Sequence, residues 1–311
     1  MAKRILSIQG GGIRGIVPAT ALVALEQQTG KLTRDCFDFI GGTSTGALLT
    51  AAIAAGVPAQ TSLDIYLREG RKIFAPTDDV RRTLNLVRLG RQFDARTLYG
   101  ILKQTLGDAA AWPVNSCPVD ILITAVDQLG DTLYFTKDAP TNAGKFGKYP
   151  LLDAAIASAC ATTYHDPWLV PGLGYCADGG CGGVADPVYQ TCVEAFTGPK
   201  CYGSIDPKDA QVISLGTGHY RPAKMPERPG SLLDRIKWVT GSLVGASMTI
   251  SAQSVERHWP GVLRVFNAAL LSDIDEADVD QIPVLLDIGQ KAAAKLDWKA
   301  ILAETPALKA A

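Results

Sequence analysis

The chain has 311 residues, 47% of them hydrophobic and 20% charged, a globular profile long enough for one large α/β domain or two small ones with a sizeable core. A formal net charge of −1 provides no global field to draw nucleic acid or an anionic membrane, so nucleic-acid binding is not expected and any membrane attraction must be local.

In chain order, Met1-Ala2-Lys3-Arg4 runs straight into the apolar strand Arg4–Ile8, without the apolar stretch and cleavage site of a secretory signal. The strand ends in Gly10-Gly11-Gly12. Ile16–Gln28 carries apolar residues at helical spacing, with Gly30 just past its end. Phe37–Ile40 reads as a second strand and Ala47–Ala55 as a small-residue helix stopped by Gly56 and Pro58. Further strands are expected at Val119–Ala125, Thr132–Thr136 and Gln211–Leu215, and a closing helix at Val284–Leu296. Strands alternating with helices predict an α/β fold, a three-layer α/β/α sandwich around a mostly parallel central sheet. Residues 1–220 form the expected catalytic domain, with residues 80–110 as a candidate cap or insert. Residues 221–311 form a helical extension packed on the same domain, entered through Pro222, Pro226 and Pro229.

Two segments stand apart. Val80–Tyr99 interleaves Arg81, Arg82, Arg88, Arg91 and Arg96 with leucines; such a stretch suits a membrane surface, although solvated charges on a packed helix are the slightly favoured reading. Ser231–Trp259 is an expected helix with Leu232, Ile236, Val239 and Leu243 along one face, which reads as core. Its uncharged part, Trp238–Val255, is diluted by Ser, Thr and Gln and does not read as a membrane span.

Three motifs carry chemistry. Gly42-Thr43-Ser44-Thr45-Gly46 is a G-x-S-x-G pattern between a predicted strand and a predicted helix, the context in which a strained turn exposes a nucleophilic serine at a helix N-terminus. A serine helix cap in a glycine turn is the competing reading. Gly10-Gly11-Gly12-Ile13-Arg14-Gly15 fits two chemistries. It has the G-x-G-x-x-G form of a dinucleotide fingerprint, with Asp35 placed as a ribose ligand; equally, its glycine N–H groups could line an oxyanion hole. The nucleophile turn favours acyl transfer. Arg14 is either an anion ligand or an anchor for the loop. Asp178-Gly179-Gly180 places a carboxylate on a glycine turn, where it is either an ordinary turn residue or a general base.

Together, in this order, the three motifs resemble those of the patatin-like phospholipases, a family with a G-G-G-x-R-G loop, a G-x-S-x-G nucleophile and a D-G-G or D-G-A aspartate. Ala157-Ser158-Ala159 ahead of Pro167, and Ser214-Leu215-Gly216-Thr217-Gly218, match further family segments. Val262–Phe266 followed by a helix fits bacterial members, so the resemblance spans nearly the whole chain. It implies a lipid acyl hydrolase of the phospholipase A or lysophospholipase type. The implied catalytic dyad is Ser44 and Asp178, with Gly10, Gly11 and Gly12 as the oxyanion hole. Arg14, Gly15, Gly42, Gly46, Gly179 and Gly180 would support the motifs. No cofactor or metal is implied.

Among the histidines, His219 or His258 could complete a Ser–Asp–His order, and His219, after Gly216-Thr217-Gly218, stays open on sequence grounds. The segment after Asp178, Cys181-Gly182-Gly183-Val184-Ala185-Asp186-Pro187, is one residue longer than the family's usual pattern and has Asp186 where Asn is usual. The family often has Pro before a Phe-Pro pair after its Ala-Ser segment, which Thr162-Thr163-Tyr164-His165-Asp166-Pro167 does not reproduce; His165 and Asp166 either shape an acyl or head-group pocket or form a polar loop. Cys176, Cys181, Cys192 and Cys201 lack the paired spacing of zinc sites, and the seven cysteines read as reduced thiols of a cytoplasmic protein.

The expected substrate is a membrane lipid or fatty-acyl ester, with a peripheral contact at the inner membrane face as the membrane-facing option; oligomeric state is open. The alternatives are a carboxylesterase or thioesterase of the same fold, a nicotinamide oxidoreductase using Gly10–Gly15, and a nucleotide- or lipid-binding module without hydrolysis.

Overall fold

The computed structural model describes residues 3–74, 93–138, 145–162, 164–197, 205–220 and 232–304. Its centre is a sheet in the order β5-β6-β3-β2-β1-β7-β8, with β4 pairing β3. The strands are β1 (Lys3–Ile8), β2 (Phe39–Gly42), β3 (Asp120–Asp127), β4 (Thr132–Phe135), β5 (Trp168–Val170), β6 (Gly174–Asp178), β7 (Ala210–Leu215) and β8 (Leu263–Phe266). The run β3-β2-β1-β7-β8 is parallel, whereas β4 and β6 pair β3 antiparallel and β5 pairs β6 antiparallel.

Central parallel strands are covered on both faces, which is why β7 is buried along its whole length and β1 from Ile5 to Ile8. Ile5, Phe39, Leu122 and Val212 turn to one side and pack with Val188, Cys192 and Val255. Leu6, Ile40, Ile121 and Ile213 turn to the other and join the larger core. The period-2 alternation of strand side chains therefore splits the interior into two layers.

The helices are α1 (Ile16–Thr29), α2 (Thr45–Ala55), α3 (Ala59–Ile73), α4 (Ala95–Leu106), α5 (Leu151–Ala159), α6 (Val188–Thr197), α7 (Leu232–His258), α8 (Ile282–Ala293) and α9 (Trp298–Ala303). Helices α6 and α7 pack on each other and α6 on β1 and β2, whereas α1 carries α3, α8 and α9. The segment beyond residue 220 is thus more than a helical extension. It supplies β8 to the sheet and returns α8 onto α1. Of the candidate cap, residues 80–92 lie outside the described residues, and Val80–Tyr99 is described only from Phe93. There α4 is amphipathic in the ordinary way, burying Leu98, Leu102 and Leu106 while Arg96 faces out.

Candidate active site

Parallel strands put their carboxyl ends at one edge of the sheet, and loops there converge. Ile8 and Gly42 are register partners, so the glycine loop after β1 and the serine turn after β2 emerge side by side. Asp35 lies before β2, in a turn at the opposite edge. A ribose-binding carboxylate would have to sit at the same edge as the glycine loop, so the dinucleotide reading does not fit this topology.

Ser44 is the turn residue between β2 and α2. Its backbone is held at φ 56° and ψ −124°, a left-handed conformation that L-residues rarely adopt and that costs of order 1–3 kcal/mol. Such a turn needs room. A Cβ on Gly46 would run into the Ile8 carbonyl, and one on Gly42 into the Gly46 carbonyl. The G-x-S-x-G spacing is therefore a steric requirement of the close approach of α2 to β1. The Ser44 amide donates to the Ser158 Oγ at 2.9 Å, and Ser158, fully buried in α5, gives the Ala-Ser-Ala segment a function that its motif match alone did not reveal.

Asp178 ends β6. Along β3, Gly42 is opposite Ile123 and Asp178 opposite Ala125, so Thr124 alone separates the two registers. Thr43 and Thr124 join their hydroxyls at 2.7 Å, and the Asp178 amide donates to the Cys160 carbonyl at 3.0 Å. The antiparallel β6 is thus what brings the aspartate to Ser44. The Asp178 carboxylate, 4% exposed, accepts the Gly180 N–H at 2.7 Å and has the Ser44 side chain beside it. Burial pushes its pKa up to about 7, against the lowering effect of the Ser44 side chain and the Gly180 N–H; the Glu276 charge adds a smaller upward push.

The glycine loop is braced on every side. Gly10 donates its N–H to Ala185 O at 2.9 Å and accepts from Thr217 Oγ1 at 2.7 Å. Its amide is committed, which leaves Gly11 and Gly12 of the three expected oxyanion donors. Thr217 shows what the Ser214–Gly218 segment does: it holds Gly10. Gly12 has φ 55°, and a Cβ there would strike the Glu276 carbonyl. Ile13 N–H donates to that carbonyl at 2.7 Å, and Arg14 pairs with the Glu276 carboxylate at 2.8 Å. Arg14 is therefore an anchor between the glycine loop and the segment before α8, and no sequence motif announced Glu276. Gly15 packs against Thr45 and Tyr66, whose hydroxyls hydrogen-bond each other, and Gly179 packs against Thr124.

The departures after Asp178 now have a role. Asp186, 1% exposed, accepts from Gln9 Nε2 at 2.7 Å and from Val188 N–H at 3.0 Å, tying the extended loop to β1 and α6. Burial raises its pKa to about 6. Gly183 and Ala185 in the same loop are pinned by Ser247 of α7, which donates to Gly183 O at 2.6 Å and accepts from Ala185 N–H at 3.0 Å.

Ser44 opens onto a cleft whose walls include Leu48, Tyr66, Ile73, Phe74 and Leu98, with Gly12 and Glu276 at the end nearest Asp178. His165 lines it too, buried, with neither ring nitrogen partnered; burial lowers its pKa to about 4, so it is neutral at physiological pH. His219 is exposed, its N–H bonded to Ala268 O, and His258 bonds Ser254 O at the far end of α7. Neither is among the groups that perturb Asp178. Cys176 and Cys192 are buried, Cys181 is exposed against Thr162, and Cys201 lies outside the described residues.

The family model for patatin-like phospholipase matches residues 6–188. The chain belongs to the patatin-like phospholipase family. Patatin-17 of Solanum cardiophyllum is 30% identical over 243 residues, covering 69% of this chain and 60% of its own length. Patatin-T5 of Solanum tuberosum is 28% identical, covering 92% of this chain and 82% of its own. This patatin-like chain thus spans less than two thirds of Patatin-17 and most of Patatin-T5. Among solved structures, VipD from Legionella pneumophila aligns at TM-score 0.46 and 12% identity over 97% of this chain and 66% of that one. Human GIVD cytosolic phospholipase A2, in complex with methyl gamma-linolenyl fluorophosphonate, aligns at TM-score 0.43 and 12% identity over 97% of this chain and 58% of that one.

Proposed function

We propose that this chain is a lipid acyl hydrolase that cleaves fatty-acyl esters through a Ser44–Asp178 dyad and an acyl-enzyme. The carrying observation is a strained serine beside a buried aspartate whose pKa is raised to about 7, opening onto an apolar cleft. A carboxylate with that pKa is largely able to accept a proton at neutral pH and to return it, which suits a general base that must also act as general acid.

In this reading the Ser44 Oγ attacks the ester carbonyl while Asp178 takes its proton. The Gly11 and Gly12 N–H groups and the N-terminus of α2 hold the oxyanion. The C–O bond breaks, the leaving alcohol receives the proton from Asp178, and the acyl group stays on Ser44. Water then attacks, giving its proton to Asp178; the acyl-oxygen bond breaks, Ser44 recovers its proton, and the fatty acid leaves. The apolar cleft walls favour an acyl chain as their occupant.

Fatty-acid release from mixed phospholipid vesicles, read by mass spectrometry, is the test, with fluorophosphonate labelling alongside. Release and labelling by the wild type, and neither by Ser44→Ala, are expected. Release that persists in Ser44→Ala would overturn the assignment.

A further inference from the structure

The apolar face of α7 is expected to be core, yet Val239 and Leu243 of that face are exposed. Val239, Leu243 and Ile250 are 48%, 59% and 60% exposed, and Trp238 beside them is 63% exposed. Spacings of four and seven residues put Val239, Leu243 and Ile250 on one helix face. The chain from Trp238 to Val255 contains no charged residue, whereas a helix surface meant for water ordinarily carries several.

Topology says where this face lies. Strand β7 runs parallel to β1 and β2, so it ends at the edge that carries Ser44. The chain returns through α7 to β8, whose first residue, Leu263, pairs with Val212 in the early part of β7. Helix α7 therefore runs from the catalytic edge back to the opposite one. Ser247 grips the loop after Asp178, Ser251 accepts from the Tyr189 N–H at 3.1 Å, and Val255 is fully buried. The residues before Ser247 thus overhang the catalytic edge. From Arg235 to Ala246 the helix extends roughly 17 Å at about 1.5 Å per residue. Tyr220 and Leu271, 41% and 86% exposed, follow β7 and β8 at that same edge.

Resting on the acyl-hydrolase reading above, we propose that the face of α7 carrying Val239, Leu243 and Ile250, with Trp238 on its flank, is the surface on which this protein docks to a lipid bilayer. A bilayer is the occupant these observations favour. The face is uncharged and apolar along its length, with the exposed cation Arg235 at its leading end, the arrangement that lies in a head-group boundary. It also stands at the edge from which a lipid must reach Ser44. The same helix holds the loop after Asp178 through Ser247, so the docking surface and the catalytic loop are joined by two hydrogen bonds.

The test uses phosphatidylcholine vesicles containing phosphatidylglycerol and the Ser44→Ala chain, which leaves the lipid intact. The expected result is co-sedimentation with vesicles and a blue shift of tryptophan emission that Trp238→Phe removes. The double variant Trp238→Ser/Leu243→Ser should lose about tenfold or more in partitioning, since each buried apolar side chain contributes substantially to interfacial binding. With Ser44 restored, that double variant should hydrolyse a short-chain water-soluble ester at the wild-type rate.

Undiminished partitioning of the double variant, or no blue shift, would overturn the proposal. So would a wild type that sediments as a dimer and a double variant that sediments as a monomer, because the face would then be an interface between copies. If no ester is hydrolysed but partitioning still depends on Trp238 and Leu243, the catalytic reading fails and the docking surface stands.

Discussion

Replacing Asp178 by Asn should make the protein inactive and, at alkaline pH, more stable. The carboxyl moves from its ordinary 3.8 to about 7 on folding, chiefly through burial. One pKa unit corresponds to about 1.4 kcal/mol, so the ionised aspartate makes the folded state about 4 kcal/mol less stable than the protonated one would be. The sign follows from proton counting. Between about pH 4 and pH 7 the folded chain holds a proton that the unfolded chain has released, so stability falls as pH rises across that window and levels off above it. An asparagine cannot ionise and escapes this loss, although it gives up the charge-assisted bond from Gly180 and adds an N–H₂ that needs acceptors.

The net gain is therefore about 2 kcal/mol near pH 8, shrinking to zero or reversing near pH 4, where the native aspartate is already protonated. Urea denaturation of both proteins at the two pH values measures it, and soluble-ester hydrolysis should fall by about 10²–10⁴-fold. For the wild type, the rate should rise with pH through a midpoint near 7. Parallel stability profiles for the two proteins would show that Asp178 is not the buried, proton-poised group described here. Full hydrolysis by Asp178→Asn would remove it from the reaction.

Ser44→Gly should stabilise the fold by about 1 kcal/mol in denaturant titration, because glycine adopts φ 56° without strain while adding some entropy to the unfolded chain. Ser158→Ala leaves the buried Ser44 amide without its acceptor; a loss of about 1–3 kcal/mol in stability is expected, with kcat falling more than KM changes because the nucleophile turn loosens. Glu276→Gln removes a charge that raises the Asp178 pKa, so the acid limb of the pH–rate profile should move to lower pH.

The sequence was most legible where chemistry and sterics coincide. Gly42 and Gly46 flank a serine because α2 lies too close to β1 and to its own turn for any side chain, and that constraint is local enough to read from five residues. The predicted strand Phe37–Ile40 sits two residues early for an equally local reason: Asp38 turns its carboxylate to the Arg4 N–H at 2.9 Å and to Lys3, anchoring the approach to β2 from outside the ladder. Helix α7 failed the same kind of reading. Its 3.6-residue periodicity is genuine, but periodicity reports that a face is apolar and says nothing of what covers it.

The remaining parts of the site are pairings between distant segments, and these leave no local trace. Glu276 meets Arg14 across 262 positions, Thr217 meets Gly10 across 207, and Gln9 meets Asp186 across 177. Each looks like an ordinary surface-type polar residue in its own neighbourhood. Their shared target explains why they are needed. A left-handed serine and a buried carboxylate are both unfavourable conformations or charge states, and neither persists unless the surrounding backbone has no alternative. Gly10 is gripped from Ala185 and Thr217, Gly12 is capped by the Glu276 carbonyl, and Ser44 is tied to Ser158. Removing one such tie should therefore affect the nucleophile more than the fold, since the sheet beneath it is held by two independent cores. Ser44 and Asp178 are thus held by a ring of long-range polar ties laid over a scaffold that would fold without them.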